Sequence, residues 1–366
     1  MPPLPQGEGW GEGIKQVIML LYSLILFFSA RVPNFALPPP SLESSLGEKG
    51  LLRLCVFAIF TLFLSACATQ PYYKANAIYP DAHDGGSIVE FSPNERILIS
   101  GGWEGRVRLW SLPSGEALND WQAHDDTVNG IVFVSSTRLI TAGYDAHLVR
   151  WSIEGKKLQD KTLPSAVTHM IAAKDQGWLI TGHADGWVRL WAISDFKPIT
   201  ERQLHSDQVA ALAYDATSGK IASSDTGQQV MLWQPGSEPV VLQSPASYSR
   251  TLVFSADGMR LYGGGWFDLF QWDTDTGKLK VIATEHAGII KSLDRTPAGQ
   301  LASISRQTDS SVYLLDADSG VVKQRYQPHE LCGGYIRVSP SGRYWATTSD
   351  DASVRFWDHQ HLELSE

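Results

Sequence analysis

The sequence predicts an all-β fold, a seven-bladed β-propeller of four-stranded blades. One observation is a strand-like run that keeps returning and closing on tryptophan: "EGRVRLW" at 104–110, "DAHLVRW" at 145–151, "DGWVRLW" at 185–191 and "DASVRFW" at 351–357. The other is its spacing. The strand-ending positions Trp110, Trp151, Trp191, Trp233, Trp272, Leu315 and Trp357 lie 41, 40, 42, 39, 43 and 42 residues apart. A steady period of about 41 with several short strands per unit is what a propeller blade requires. The units fall at about 81–120, 121–162, 163–202, 203–242, 243–283, 284–326 and 327–366. After Trp357 only "DHQHLELSE" remains, too short for a turn and an outer strand. "YYKANAIYP", ahead of His83, aligns with the outer-strand segment "EALNDWQ". Residues 72–80 are therefore expected to complete the last blade, which closes the ring and leaves no open sheet edge.

Other positions keep step with the aromatic. An acid stands six residues earlier at Glu104, Asp145, Asp185, Asp309 and Asp351. A hydroxyl stands four residues before that, at Ser100, Thr141, Thr181, Ser305 and Thr347, and Ser223 keeps this place although Gly227 replaces the acid. A histidine opens the unit at His83, His124, His205, His286 and His329. These registers resemble the WD-repeat β-propeller family over roughly residues 72–366, and the naming dipeptide stands at Trp272-Asp273 and Trp357-Asp358. The resemblance implies that histidine, hydroxyl, acid and tryptophan form a hydrogen-bonded structural network in each blade. A shared network is also what a buried indole N–H, carboxylate and imidazole need to satisfy one another.

Within "WVRLW" at 187–191, Val188 and Leu190 share one face of the strand and Arg189 and Trp191 the other. Arg189 is expected to lay its stem on the packed surface and keep its head in water. "SPN" at 92–94, "SADG" at 255–258, "DTDTG" at 273–277 and "SPSG" at 339–342 read as hairpin turns. "DTDTG" lacks the further carboxylates of a calcium loop.

The repeat breaks in three places. The third unit has "LPSAVTHM" where its opening histidine should be, the fifth lacks both histidine and acid around Trp266, and the sixth has Leu315 for tryptophan. Either these blades have drifted, or a ligand or partner groove lies beside blade five. The family resemblance implies that one rim binds proteins or peptides. By register that rim carries Trp103, Tyr144, Asn129, Tyr248, Arg250 and Lys291, with Trp266 at the irregular blade. Aromatic and arginine anchors suit an interface, and capping of inter-blade packing is the other use for them.

The N-terminal part reads as an address. "LLRLCVFAIFTLFLSAC" at 51–67 places Lys49 and Arg53 before an apolar run shorter than the ~20 residues that span a bilayer, the layout of a signal peptide over 51–66. Its ending Leu64-Ser65-Ala66-Cys67 resembles the lipobox of bacterial lipoproteins, which implies lipidation of Cys67. An uncleaved anchor is the alternative. With Ala68 and no aspartate after the cysteine, the resemblance implies sorting to the outer membrane, facing the periplasm. Residues 1–50 are Pro/Gly-rich with a second apolar run at 17–30, and are expected to be an over-extended reading frame or a separate extension.

The formal net charge is −9, and residues 1–66 hold four basic and four acidic groups, so the rest carries the whole excess with no basic run. That argues against nucleic-acid binding. With Cys55 and Cys67 near the N-terminus, Cys332 stands alone and no disulfide framework can be drawn. No nucleophile elbow, phosphate loop, zinc spacing or paired-carboxylate motif appears, so no catalytic residue, metal ligand or cofactor is assigned. The expected function is a non-enzymatic protein-binding scaffold, a monomeric propeller tethered to the membrane of the bacterial cell envelope. The alternatives are a quinoprotein-like propeller (a cofactor enzyme or an outer-membrane assembly lipoprotein) and a hydrolase with a central metal.

Overall fold

The computed structural model describes residues 70–365, so the signal-type segment and Cys67 lie outside the described residues. The described part is built from strands. β1 (Ala77–Tyr79) is followed by blade one, β2 (Gly86–Phe91), β3 (Ile97–Gly102), β4 (Arg106–Ser111) and β5 (Ala117–Gln122). Blade two is β6 (Val128–Ser135), β7 (Arg138–Gly143), β8 (His147–Ser152) and β9 (Lys157–Thr162). Blade three is β10 (Val167–Ala173), β11 (Trp178–His183), β12 (Trp187–Ala192) and β13 (Pro198–Gln203). Blade four is β14 (Val209–Tyr214), β15 (Ile221–Asp225), β16 (Val230–Trp233) and the short β17 (Val240–Val241). Blade five is β18 (Leu252–Phe254), β19 (Arg260–Gly264), β20 (Asp268–Asp273) and β21 (Leu279–Ala283). Blade six is β22 (Ile289–Arg295), β23 (Leu301–Arg306), β24 (Val312–Leu315) and β25 (Val322–Tyr326). Blade seven takes β26 (Gly333–Val338), β27 (Tyr344–Ser349) and β28 (Val354–Asp358), with β1 as its outer strand.

The first strands touch in a closed cycle, β2–β6–β10–β14–β18–β22–β26 and back to β2, so they surround a central channel. Closure is by β1, antiparallel to β28 with Ala77 opposite Phe356 and Tyr79 opposite Val354. Tyr73 reinforces the seam. It bridges to Leu364 and Tyr326, and its carbonyl accepts from Gln327 N at 2.9 Å and from the Trp357 indole at 3.4 Å. Alternate side chains leave each sheet toward the neighbouring blade, where they form the core. Val107 and Leu109 of blade one pack with Ile131, Phe133 and Trp151 of blade two. Ile304 and Leu314 of blade six pack with Trp345 and Trp357 of blade seven. A single four-stranded sheet could not bury both of its faces; stacking in a ring does.

One backbone feature recurs seven times. The residue five before each strand-ending position has positive φ: Gly105 (76°), Ala146 (63°), Gly186 (79°), Gln228 (73°), Phe267 (65°), Ser310 (48°) and Ala352 (65°). It turns the second strand of the blade into the third. At Gly105 a Cβ would stand 2.0 Å from the His124 carbonyl oxygen, so glycine is needed there for space as well as for dihedral angle. Phe267 is the bulky exception, held where a large side chain is strained by about 1–3 kcal/mol.

Removing residues 70–80 opens the edge of β28 and takes away the acceptor of the Trp357 indole. We expect the truncated chain to unfold at a lower denaturant midpoint, with the Val354–Asp358 amides becoming the fastest to exchange among the third strands. Unchanged exchange there would show that β1 does not secure the ring.

Candidate functional site

Two groupings of polar side chains concern function: the networks that position the rim turns, and the charged lining of the channel.

The network is complete in blade two. His124 Nδ1 lies 3.0 Å from Asp145 and its Nε2 lies 2.7 Å from Thr141 Oγ1, which also accepts from the Trp151 indole at 2.9 Å. A carboxylate only accepts, so Nδ1 carries the proton and Nε2 takes the hydroxyl hydrogen. Burial pushes the Asp145 carboxyl up, but His124 and the backbone N–H groups of Asp125 and His147 outweigh it and the net shift is downward. Blades one and seven repeat the imidazole bridges. His83 reaches Glu104 (2.6 Å) and Ser100 (2.5 Å), and His329 reaches Asp351 (3.0 Å) and Thr347 (2.7 Å). Their indoles differ: Trp110 stacks on Tyr79 at 5.0 Å, and Trp357 donates to Tyr73.

Four departures from the register have local causes. In blade three His183, two residues after Thr181, supplies the missing ring. Its Nε2 is 2.8 Å from Thr181 Oγ1, its Nδ1 donates to the Ser165 carbonyl, and Trp191 donates to the same hydroxyl. Asp185, freed from a histidine, pairs with Arg189 at 2.8 Å, so the Arg189 head is buried and neutralised instead of lying in water. In blade four Asp225, two residues after Ser223, replaces the acid lost at Gly227, and His205 bridges it (3.0 Å) to Ser223 (2.7 Å). Trp233 is buried in the same blade with an indole nitrogen that has no hydrogen-bond partner.

In blade six the hydroxyl that meets His286 is Ser303 (2.8 Å), not Ser305. The β23–β24 turn is two residues longer than its counterparts, as the pairings Ile304–Val312 and Ala142–Leu148 show, so counting back from Leu315 overshoots. Ser305 bonds Asp309 instead, leaving His286 Nδ1 3.6 Å from that acid. In blade five there is no network, and Trp272 donates to the Gln243 carbonyl at 2.8 Å. The "DTDTG" carboxylate of Asp273 caps its own turn through the Thr276 N–H and hydroxyl, 2.7 Å each.

The rim residues separate into two sets. Trp103, Tyr144 and Trp266 are 44%, 41% and 41% exposed, and Phe267, which sequence reading passed over, is 48% exposed and 5.6 Å from the Trp266 ring. Asn129 is half-buried and donates to the Val167 carbonyl of the next blade. Tyr248 is half-buried beneath the Arg250 guanidinium, which lies 4.3 Å over its ring. Lys291, half-buried, sits at the bulge of β22 between Ile290 and Ser292.

The lower channel is tied across the ring. Arg337 of β26 bonds Glu90 of β2 at 2.6 Å and approaches Asp294 of β22 at 3.8 Å, while Asp294 accepts from Val338 N at 2.8 Å. Tyr335 faces His169 of blade three at 6.5 Å between ring centroids. Burial, with Lys291 and Arg337 adding to it, pushes the His169 imidazole down to about 4. At the mouth the balance is different. Burial, with Arg250 and Arg306 beside it, pushes the Lys291 ammonium down to about 8. Arg306 has a partner, Asp350 at 2.7 Å, whereas Lys291 and Arg250 have no carboxylate within ion-pair distance among the described residues. Among the described residues, no cluster of three or more metal-ligating side chains occurs.

A ring of seven four-stranded blades, six of them with a buried imidazole bonded to a strand hydroxyl, defines a seven-bladed β-propeller of the repeat type. The model of the WD domain, G-beta repeat, matches residues 79–111, 157–192 and 326–358, stretches centred on blades one, three and seven. The chain is similar to DDB1- and CUL4-associated factor 13 of Xenopus laevis, 23% identical over 76% of this chain and 65% of that protein. It is similar to a striatin homolog of Dictyostelium discoideum, 23% identical over 75% of this chain and 34% of that protein. It is also similar to target of rapamycin complex subunit wat1 of Schizosaccharomyces pombe, 20% identical over 75% of this chain and 79% of that protein. The chain thus spans just under two thirds of the first and about a third of the second.

Thr141 serves two donors or acceptors at once, whereas Thr347 serves only His329. Thr141→Val is expected to lower unfolding free energy by about 2–4 kcal/mol and Thr347→Val by about half that, read from denaturant titrations. Equal losses would contradict the shared-hydroxyl geometry.

Burial lowers His183 from 6.5 to about 4. Between those values the unfolded chain takes a proton that the fold refuses, so stability falls as pH falls through this window. The wild type should therefore lose more stability from pH 6.5 to 4 than His183→Asn does. Parallel profiles would show that His183 is not held neutral.

Proposed function

We propose that the chain is a non-enzymatic protein-binding scaffold, a monomeric propeller tethered through lipidated Cys67 and facing the periplasm from the outer membrane of a bacterial envelope. The observation that carries the binding part is the exposure of Trp103, Tyr144, Trp266 and Phe267 on the rim. Large aromatics lose little rotamer entropy on docking and dominate interface energies. Rigid strands hold the turns that present them, and imidazole bridges lie beneath the turns of Trp103 and Tyr144. Two of the similar proteins carry association in their printed names, one as an associated factor and one as a complex subunit. The tether rests on the sequence at 51–67 alone. A protein partner in the envelope is implied, with no cofactor and no nucleic acid.

Affinity capture of the full-length chain from detergent-solubilised membranes tests both parts. The wild type is expected to retain a stoichiometric partner that the Trp103/Tyr144/Trp266 triple-alanine form loses, since each aromatic anchor buried on docking contributes about 2 kcal/mol or more. Cys67→Ala is expected to move the protein to the soluble fraction with binding intact. The same captured proteins from wild type and triple variant would remove the rim from the account. Unchanged membrane attachment of Cys67→Ala would remove the lipid.

A further inference from the structure

We infer that the channel mouth beside blades five and six receives an acidic peptide segment, with carboxylate side chains on Lys291 and Arg250 and a neighbouring apolar side chain on Trp266 and Phe267. This rests on the protein-binding reading and names the chemistry of its partner. The mouth is an internally uncompensated site. Lys291, Arg250 and Arg306 meet there, and among the described residues the carboxylate that acts on Lys291 is Asp350, which Arg306 engages. Elsewhere in the channel the charges are matched, as Arg337 is by Glu90 and Asp294. Unpaired cations held half out of water cost stability. The depressed Lys291 ammonium records that cost.

The arrangement is also preorganised. Arg250 lies over the Tyr248 ring with its guanidinium carbon 4.3 Å from the centroid, which leaves its N–H groups for a planar carboxylate. Its backbone N–H is bonded to the Gly264 carbonyl, and Trp266 bridges Ile289 at the start of the strand that bears Lys291. Both aromatics are thus bonded through their backbones to the segment Gly288–Ile289 that leads into Lys291. Phe267 keeps its large side chain exposed despite a left-handed backbone that favours glycine. On a chain of net charge −9, one cationic spot gives an acidic partner a single place and orientation to land.

The test uses the full-length chain in detergent micelles and fluorescence anisotropy of labelled synthetic peptides: Glu-Glu-Leu in a Gly/Ser frame, its Gln-Gln-Leu analogue, and a phosphoserine analogue. The Glu peptide is expected to bind, to weaken as salt is raised, and to exceed the Gln peptide by about tenfold or more. K291M and R250Q should each weaken it about tenfold, while the melting temperature of K291M stays the same or rises, because a repelled cation has been removed. A variant that merely misfolds would show a fall in melting temperature instead.

Equal affinity for the Glu and Gln peptides, or for wild type and both variants, overturns the inference. So does binding of the phosphoserine peptide alone. So does a failure to bind peptide together with concentration-dependent self-association that K291M abolishes, which would give the face to a second copy. Peptide binding without any captured envelope partner would leave this chemistry standing while the envelope reading fails.

Discussion

Six of the seven blades bury a hydroxyl on the second strand, and that hydroxyl must be paired. The second strand of a blade carries it at a fully buried position, Ser100, Thr141, Thr181, Ser223, Ser303 or Thr347, opposite the third strand and two residues short of the rim turn. An imidazole nitrogen is the partner in every one of these six blades. The space beside it holds one ring and little else. In blades one and two the residue two beyond the hydroxyl is glycine, and a Cβ there would lie 2.4 Å from His83 and 2.6 Å from His124. In blade three the opening histidine is absent and the same position holds His183. In blade four that position holds Asp225, and the acid that normally follows is absent. The side chains trade places around a fixed hydroxyl, because what is required is that the buried polar atoms be satisfied, whichever backbone position supplies the partner.

This explains what was legible in the sequence. Blade number, strand-ending aromatics and ring closure follow from a period near 41 and from registers that agree in several units at once, and a repeat fold leaves few other solutions. His183 and Asp225 escaped notice because each satisfies the network from a different position than the register assigns. Ser303 was displaced by a two-residue insertion in the β23–β24 turn, which no count from Leu315 can reveal. Arg189 was expected to be wet, but an arginine two residues before the strand-ending tryptophan can fold back on the acid of its own turn, as Arg189 does on Asp185 and Arg355 on Asp351. The rim aromatics were legible as positions, but the imbalance of charge at the channel mouth joins residues from blades five, six and seven and has no local sequence signal.

The two groupings act on one another. The imbalance at the mouth is tolerable only on a frame that does not yield, and the imidazole bridges fix the rim turns from which Trp103 and Tyr144 project. Blade five, which has no such bridge, is also the blade whose turn holds Phe267 in a strained conformation. Local rules are broken there and satisfied around it, which is the pattern of a site maintained for binding at some cost in stability.

The interchange of side chains is the claim on which the rest of this account depends, and moving the ring back tests it most directly. Pro164 stands in blade three seventeen residues before Thr181, the same separation as His124 from Thr141. Denaturant midpoints would be measured for His183→Gly alone and for His183→Gly combined with Pro164→His. The account predicts a clear loss in the single variant, from an unpaired Thr181 hydroxyl and an empty ring site, and recovery of most of it in the double variant. A double variant no more stable than the single one would show that the position of the ring matters, and that satisfying the hydroxyl is not the governing constraint.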